Sequence, residues 1–256
     1  IRLGAKRPSL LVAIDSVPEL AGVKVLEDGS LRIGAATTMA AIARDPAVME
    51  RMGALSDAAG WMGSPQVRNR ASIGGNLCNA RPCADTAPPS IVGGAVLELR
   101  SVRGTRKVPA DGFMTGPGQT VRNPDELCVA VVFPPSGRPA GSAFFTCTNR
   151  KAVEITITSA AAWIELENDG GPIASARVAL GSVAPTPVRA PSAEAALVGR
   201  TPGNKVFAEA AAEAVRDARP IDDLRAGAQY RRWMVEVMVR RALERAFERA
   251  NGGARP

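Results

Sequence analysis

The residues best suited to bind a ligand lie in one short segment that contains two adjacent glycines. The segment reads Ser72-Ile73-Gly74-Gly75-Asn76, with Asn79 and Asp85 further along the chain. Because glycine has no side chain, the backbone can come within hydrogen-bonding distance of a ligand and present its amide groups to phosphate oxygens. Asn76 and Asp85 add one neutral and one charged polar group. This combination is typical of a site for a nucleotide pyrophosphate.

A glycine pair by itself is weak support for such a site. The chain has 25 glycines, and three further pairs occur at Gly93-Gly94, Gly170-Gly171 and Gly252-Gly253. The role of Asp85 also has an alternative, because its carboxylate could cap a helix that begins near Thr86. The two roles of Asp85 are compatible with each other.

The composition excludes several classes of chemistry. The chain has no histidine, which removes Ser-His-Asp and Cys-His nucleophile activation and the commonest metal ligand. A bound cofactor that brings its own reactivity is therefore favoured. The net charge of +7 comes from basic residues that are scattered among acidic ones, with few aromatic residues, so we expect no binding to nucleic acid.

The cysteines and the lengths of the apolar stretches indicate the cellular location, and the first residues indicate whether the natural N-terminus is present. The four cysteines contain no CxxC pair, and we interpret them as reduced and structural, with a disulfide or an iron–sulfur cluster as alternatives. Reduced cysteines favour a cytoplasmic protein, and no apolar stretch is long enough to span a membrane. The chain begins at Ile1, with neither an initiator methionine nor a signal peptide, so we expect that its natural start is missing.

Hydrophobic patterning predicts an α+β protein in two parts. A Pro/Gly-rich linker at 134–141 separates them. The predicted strands are Leu10–Ile14, Lys24–Leu26, Leu31–Ile33, Ala95–Leu99, Lys107–Val108, Leu127–Phe133, Ile155–Leu166 and Ile173–Leu180. The predicted helices are a short one after Thr38, then Ala47–Ala59, Ser192–Leu197, Lys205–Ala218 and Ala228–Ala250. In the last helix, Val235 and Met238 belong to an apolar stripe, and Arg231 belongs to the opposite, polar face.

The glycine segment and its neighbours resemble a known protein family. One segment closely resembles the second FAD-binding loop of the molybdenum hydroxylases; it comprises Trp61 to Asn76 together with Asn79, Pro82, Asp85 and Pro88. Further similar pieces follow in family order, namely Leu31 to Thr38, Gly116-Pro117-Gly118, Glu126-Leu127, Phe133-Pro134, Val178 to Gly181, Pro185-Thr186-Pro187 and Tyr230-Arg231. The chain thus resembles the flavoprotein, or medium, subunit of carbon monoxide dehydrogenase and bacterial xanthine dehydrogenase.

The resemblance implies a fold and a set of cofactor-binding residues. Residues 1–138 would form the second part of the family's FAD-binding domain, and 139–256 a smaller α+β domain with a sheet and a long terminal helix. By position, the FAD-binding residues would be Ser72, Ile73, Gly74, Gly75, Asn76, Asn79, Asp85 and Leu127. Leu127 would lie near the isoalloxazine ring, or it could equally be an ordinary core residue of its strand. Family members carry an earlier glycine-rich loop, which would precede Ile1.

The resemblance also implies an activity and partners. A large subunit with a molybdopterin-bound molybdenum would hydroxylate the substrate, and a small subunit with two [2Fe–2S] clusters would pass electrons to FAD in this chain. FAD would reduce NAD⁺, a quinone, O₂ or another acceptor, in a dimer of heterotrimers. No catalytic side chain and no metal ligand are expected here. The alternatives are a flavin-free scaffold subunit and a stand-alone FAD oxidase.

Overall fold

Two large antiparallel sheets and a small one formed by two strands, with helices between and beside them, form the computed structural model, which describes residues 8–252. The strands are β1 (Val23–Val25), β2 (Leu31–Gly34), β3 (Val96–Ser101), β4 (Gly104–Pro109), β5 (Met114–Gly116), β6 (Gln119–Thr120), β7 (Leu127–Phe133), β8 (Ala140–Cys147), β9 (Thr158–Leu166), β10 (Ile173–Gly181) and β11 (Val188–Arg189). The helices are α1 (Met39–Ile42), α2 (Pro46–Arg51), α3 (Gly53–Trp61), α4 (Pro65–Arg68), α5 (Ile73–Asn79), α6 (Ala87–Val92), α7 (Pro191–Ala195), α8 (Asn204–Ala214) and α9 (Ala228–Ala250). The α+β fold class is confirmed.

The first sheet has five strands in the order β1-β2-β7-β3-β4. Its first hairpin is close to the predicted one, since Val25 pairs with Leu31 across a turn in which Gly29 has a φ of +81°. The Asp28 carboxylate accepts a hydrogen bond from the Ser30 amide (2.9 Å), which closes this turn. Strand β7 lies in the middle of the sheet, and most of its residues are buried.

The second sheet is a meander in the order β11-β10-β9-β8, and helices cover both of its faces. Alternate residues of β9 point to opposite sides. Ala161 and Trp163 join the core that contains α3 and α6, whereas Ala162 and Ile164 join a second core with α8 and α9. The two halves of the chain therefore share a core through this sheet.

Three sequence predictions about elements need correction. Residues Leu10–Ile14 do not form a buried strand, because no strand of the described residues pairs with them, and Leu10 is 75% exposed. The helix predicted at Ala47–Ala59 is two helices, α2 and α3, separated at Met52 with a φ of −139°. The predicted linker is shorter than expected, since β8 already begins at Ala140.

The helix predicted at Ala228–Ala250 is confirmed, but one of its residues lies on an unexpected face. Arg231 is only 3% exposed, although the helical pattern places it on the polar side. Its guanidinium donates to the carbonyls of Ile157 and Ser182 and forms an ion pair with Asp223 (2.8 Å). Within residues 8–252, no helix is long and apolar enough to cross a membrane.

Candidate functional site

Helix α5 presents the predicted ligand residues on one exposed face. Ser72 precedes the helix as its N-cap, and Gly75, Asn76 and Asn79 follow at spacings of three, four and seven residues. All four positions are exposed or partly exposed, whereas Ile73 is fully buried in the first core. The structure thus brings four of the predicted residues together on the surface and turns Ile73 and Gly74 inward.

The first amides of α5 all donate within the chain. Ile73 N–H donates to the Thr37 carbonyl (3.2 Å) and Gly74 N–H to the Ala35 carbonyl (2.9 Å). Gly75 N–H donates to Ser72 Oγ (3.2 Å). The expectation that bare amides of this segment face a phosphate is therefore corrected, because the fold already uses these donors. The side chains and the uncovered backbone surface of Gly75 are what this face leaves open.

The two glycines differ in their surroundings. A Cβ on Gly74 would lie 2.6 Å from the Cβ and 2.9 Å from the carbonyl oxygen of Ala35, so this position permits close packing of α5 on the end of β2. A Cβ on Gly75 would approach only Ser72 Oγ, at 3.0 Å, and the residue is exposed. Gly75 is consequently the glycine that leaves space for a ligand at the surface.

Asn76 connects the exposed face of α5 to the next helix. Its Oδ1 accepts hydrogen bonds from the Thr86 hydroxyl (2.6 Å) and the Thr86 amide (3.3 Å). Thr86 is fully buried and is the N-cap residue of α6. These bonds fix the orientation of the Asn76 side chain, and its Nδ2 group has no partner among the described residues, so it is free to donate to a ligand.

Asp85 lies directly before Thr86 and is thereby held next to the face of α5. Its carboxylate does not cap α6; instead, Oδ1 accepts a hydrogen bond from the hydroxyl of Thr156 (2.7 Å). Burial raises the pKa of Asp85 to about 6, and the hydrogen bond from Thr156 partly opposes this increase. The residue as a whole is partly exposed.

Leu127 begins β7 and is 41% exposed. The next residue, Cys128, is buried, and its thiol interacts with that of Cys78 on α5, which raises the pKa of Cys128 and lowers that of Cys78. Leu127 therefore lies at the end of β7 that adjoins α5, and its exposure leaves it available to an apolar surface. Both cysteines are free thiols, as predicted.

Two residues of this arrangement were not found from the sequence. The sequence indicates Thr86 only as the start of a helix, and Thr156 is 71 residues from its partner Asp85. No local signal identifies Thr156, because its contact exists only in the folded chain. Thr38, by contrast, caps α1 as predicted, accepting from the Ala41 amide (3.3 Å).

Comparisons with protein families cover both parts of the chain. Residues 1–136 match the FAD binding domain in molybdopterin dehydrogenase, and residues 143–246 match the CO dehydrogenase flavoprotein C-terminal domain. The chain belongs to this family of FAD-binding oxidoreductase subunits. The resemblance on which the sequence prediction was based is thus confirmed.

Individual members of the family are similar over most of their length. The xanthine dehydrogenase FAD-binding subunit of Escherichia coli O157:H7 is 38% identical over 244 residues, which are 94% of this chain and 82% of that protein. The carbon monoxide dehydrogenase medium chain of Hydrogenophaga pseudoflava is 32% identical and covers 97% of this chain and 85% of its own length.

Solved structures confirm the fold. Carbon monoxide dehydrogenase from Hydrogenophaga pseudoflava has a TM-score of 0.84 at 34% identity, covering 91% of this chain and 79% of that chain. Quinoline 2-oxidoreductase from Pseudomonas putida 86 has a TM-score of 0.88 at 28% identity, covering 98% of this chain and 86% of that chain. The FAD-binding domain with a second, sheet-containing domain and a long terminal helix is therefore the family fold.

The donor set of the site fits the polar part of FAD. Ser72 Oγ already accepts from Gly75, so its hydroxyl proton is free to donate, as is the Nδ2 group of Asn76. Such donors suit phosphate oxygens. The Asp85 carboxylate suits the hydroxyl groups of a sugar chain, and the missing side chain at Gly75 leaves the helix surface open.

Proposed function

We propose that this chain holds FAD as the electron-transfer subunit of a molybdenum hydroxylase complex. The observation that carries this proposal is the exposed stripe of Ser72, Gly75, Asn76 and Asn79 beside Asp85, within an FAD-binding domain of the family. In this proposal residues 1–138 are the FAD-binding domain, and residues 139–256 are the C-terminal domain.

The proposed contacts divide the cofactor among three groups of residues. Ser72, Asn76 and Asn79 donate hydrogen bonds to the pyrophosphate, which lies against the open surface of Gly75. Asp85 accepts hydrogen bonds from the sugar-chain hydroxyls, and Leu127 contacts the ring system. Ile73 and Gly74 act indirectly, by packing α5 against the core so that its outer face has a fixed position.

FAD supplies the redox chemistry, since it accepts and donates electrons through its ring. The side chains named above bind and orient it, and none of them is proposed as an acid, base or nucleophile. This division agrees with a chain that contains no histidine.

The proposed partners are a small subunit with [2Fe–2S] clusters and a large subunit with molybdopterin-bound molybdenum, assembled as a dimer of heterotrimers. Support comes from relatives that are named as subunits or medium chains of xanthine and carbon monoxide dehydrogenases. Electrons would reach FAD from the iron–sulfur subunit and leave to NAD⁺, a quinone, O₂ or another carrier. The free thiols support a cytoplasmic location for this complex.

A substitution at Gly75 tests the cofactor site. We expect Gly75→Val to lose most of its FAD, because a branched side chain would occupy the surface against which the pyrophosphate lies. The matched control is Gly60→Val in α3, another exposed helical glycine, where a Cβ would meet only Ala43 Cβ at 3.8 Å. Flavin absorbance of the purified full-length proteins, with protein concentration measured separately, gives the FAD content.

The same preparations separate the alternative functions. A wild-type protein without flavin in its assembled complex would contradict the proposal and favour the scaffold subunit. A flavin-containing protein that purifies alone and oxidises a substrate would favour the stand-alone oxidase. Equal FAD content in Gly75→Val and Gly60→Val would exclude the proposed face of α5 as the pyrophosphate site.

A further inference from the structure

A chain of hydrogen bonds joins the candidate cofactor site to the second sheet. Thr156 Oγ1 donates to Asp85 Oδ1 (2.7 Å) and lies 3.0 Å from Thr146 Oγ1. Thr146 Oγ1 in turn lies 3.5 Å from the Thr158 carbonyl oxygen. Thr146 is the penultimate residue of β8, and Thr156 lies two residues before β9, so both threonines belong to the part that matches the C-terminal domain. Only Asp85 belongs to the FAD-binding domain.

The direction of the hydrogen bonds along this chain depends on whether Asp85 is ionised. Each threonine hydroxyl has one proton. When Asp85 is ionised, its carboxylate can only accept, so Thr156 donates a hydrogen bond to it, and Thr146 can then donate to Thr156. When Asp85 is neutral, its carboxyl group can donate to Thr156. Thr156 can then donate to Thr146, and Thr146 to the Thr158 carbonyl. The second arrangement ends in a longer contact, 3.5 Å, so the chain stabilises the ionised carboxylate more strongly.

We propose that Thr156 is a positioning residue for FAD, which orients the Asp85 carboxylate toward the sugar chain, and that Thr146 supports it. The inference rests on the proposed function, because it takes Asp85 as a ligand of FAD. It adds that the C-terminal domain completes the cofactor site through a side chain that does not touch the cofactor.

The electrostatic surroundings of Asp85 make the role of Thr156 measurable. Burial is the main cause that raises the pKa of Asp85, and Thr156 is the hydrogen-bond donor that lowers it. Among the described residues, the Cys83 thiol interacts electrostatically with Asp85, and its pKa is raised by burial and by Asp85 and lowered by Arg225 and Arg81. Removal of the Thr156 hydroxyl leaves burial unopposed, so the pKa of Asp85 rises further.

The experiment measures the dissociation constant of FAD as a function of pH for the full-length chain, by quenching of flavin fluorescence. For the wild type we expect weaker binding as the pH falls through the pKa of Asp85, because a protonated carboxyl is a poorer acceptor. For Thr156→Val we expect about tenfold weaker binding at neutral pH and a midpoint at higher pH. Thr156→Ser keeps the hydroxyl and should restore both values.

The matched control is Thr158→Val, a buried threonine of the same segment whose hydroxyl has no hydrogen-bond partner in the structure. Thermal unfolding of each FAD-free protein shows whether it is folded. Thr146→Val is a second test variant, for which we expect the midpoint of FAD binding to shift to higher pH by less than in Thr156→Val. Asp85→Asn should remove the pH dependence.

These measurements distinguish a failure of the proposed function from a failure of the positioning role of Thr156. If the wild type binds no FAD at any pH, the proposed function fails. If the wild type binds FAD with the expected pH dependence but Thr156→Val matches Thr158→Val in affinity and midpoint, the positioning role of Thr156 is overturned. A uniform loss of affinity without a shift of the midpoint also overturns it, since that pattern indicates only a structural role.

Discussion

Adjacent glycines in α5 meet two different requirements, although both are the same residue type. Gly74 allows the helix to lie against Ala35, and Gly75 leaves its outer surface open. The backbone φ of neither glycine is in the left-handed region, so the absence of a Cβ is the relevant property. The glycine pair therefore couples the packing of the helix to the access of a ligand.

Gly74→Ala should destabilise the protein by about 1–3 kcal/mol, because its Cβ would overlap with Ala35 in a packed interior. Gly75→Ala is the natural comparison and should be close to neutral in stability. Urea denaturation of both variants measures the free energies of unfolding. Equal stabilities for the two would contradict the assignment of Gly74 to the interior.

Glu126, directly before Leu127, should contribute to stability in a pH-dependent way. Hydrogen bonds from Arg106 and from the Asn123 amide lower its pKa to about 2, from an ordinary value of 4.5. The carboxylate therefore stabilises the fold fully above the unfolded-state pKa, and its contribution is lost as the pH falls from about 4.5 to about 2.

Glu126→Gln tests this effect. The variant should be less stable than the wild type at neutral pH, and the difference should narrow as the pH is lowered through that range. Denaturation curves at a series of pH values provide the measurement. A difference that stays constant with pH would show that the charge of Glu126 does not matter.

At the scale of elements, α9 is held to the rest of the protein by buried arginines as well as by its apolar stripe. Arg249 forms a two-bond ion pair with Asp57 of α3, at 2.7 and 2.8 Å, and donates to the Ser142 carbonyl of β8 (2.7 Å). Asp57 also accepts from the Phe144 amide (3.1 Å). These bonds join α3, β8 and α9 at the outer edge of the second sheet.

Arg249→Leu should cost about 3 kcal/mol, because it leaves Asp57 without its cation and the Ser142 carbonyl without its donor. Arg245→Leu is the control on the same helix. Its ion pair with Glu248 is exposed, so the loss should stay below about 1 kcal/mol. Chemical denaturation compares the two, and similar costs would argue against a structural role of the buried pair.

At the scale of the whole molecule, the second sheet belongs to both halves of the chain. Phe144, Ala161 and Trp163 lie in the same core as Leu97 and Phe133 of the first sheet. A cut between 138 and 139 would therefore expose an apolar surface on each side. The two family domains meet in a continuous interior, so a division by sequence does not create two independent folding units.

We expect the full chain to unfold in a single cooperative transition for this reason. Scanning calorimetry measures it, through the agreement of the calorimetric and van't Hoff enthalpies. A separately expressed fragment 1–138 should lack a cooperative transition. Two well-separated transitions in the intact chain, or a folded fragment, would contradict the shared core.

Local patterns explain why much of the fold and the candidate site could be predicted. The apolar spacing that includes Val235 and Met238 favours a helix, and a Gly-containing turn after Asp28 favours a hairpin. The order of motifs around Gly74-Gly75 was sufficient to identify the family. Each of these signals depends on residues that are close together in the chain.

The remaining features depend on partners that are distant in the chain. Spacing alone does not show that Gly75 faces outward and Gly74 inward, that Arg231 is buried against Asp223, or that Leu10–Ile14 finds no strand partner among the described residues. The sequence by itself determined the family, the α+β class and the candidate ligand residues. The tertiary structure alone decided which of them reach the surface and that Thr156 holds Asp85, because burial and hydrogen bonding arise only when separate elements pack together.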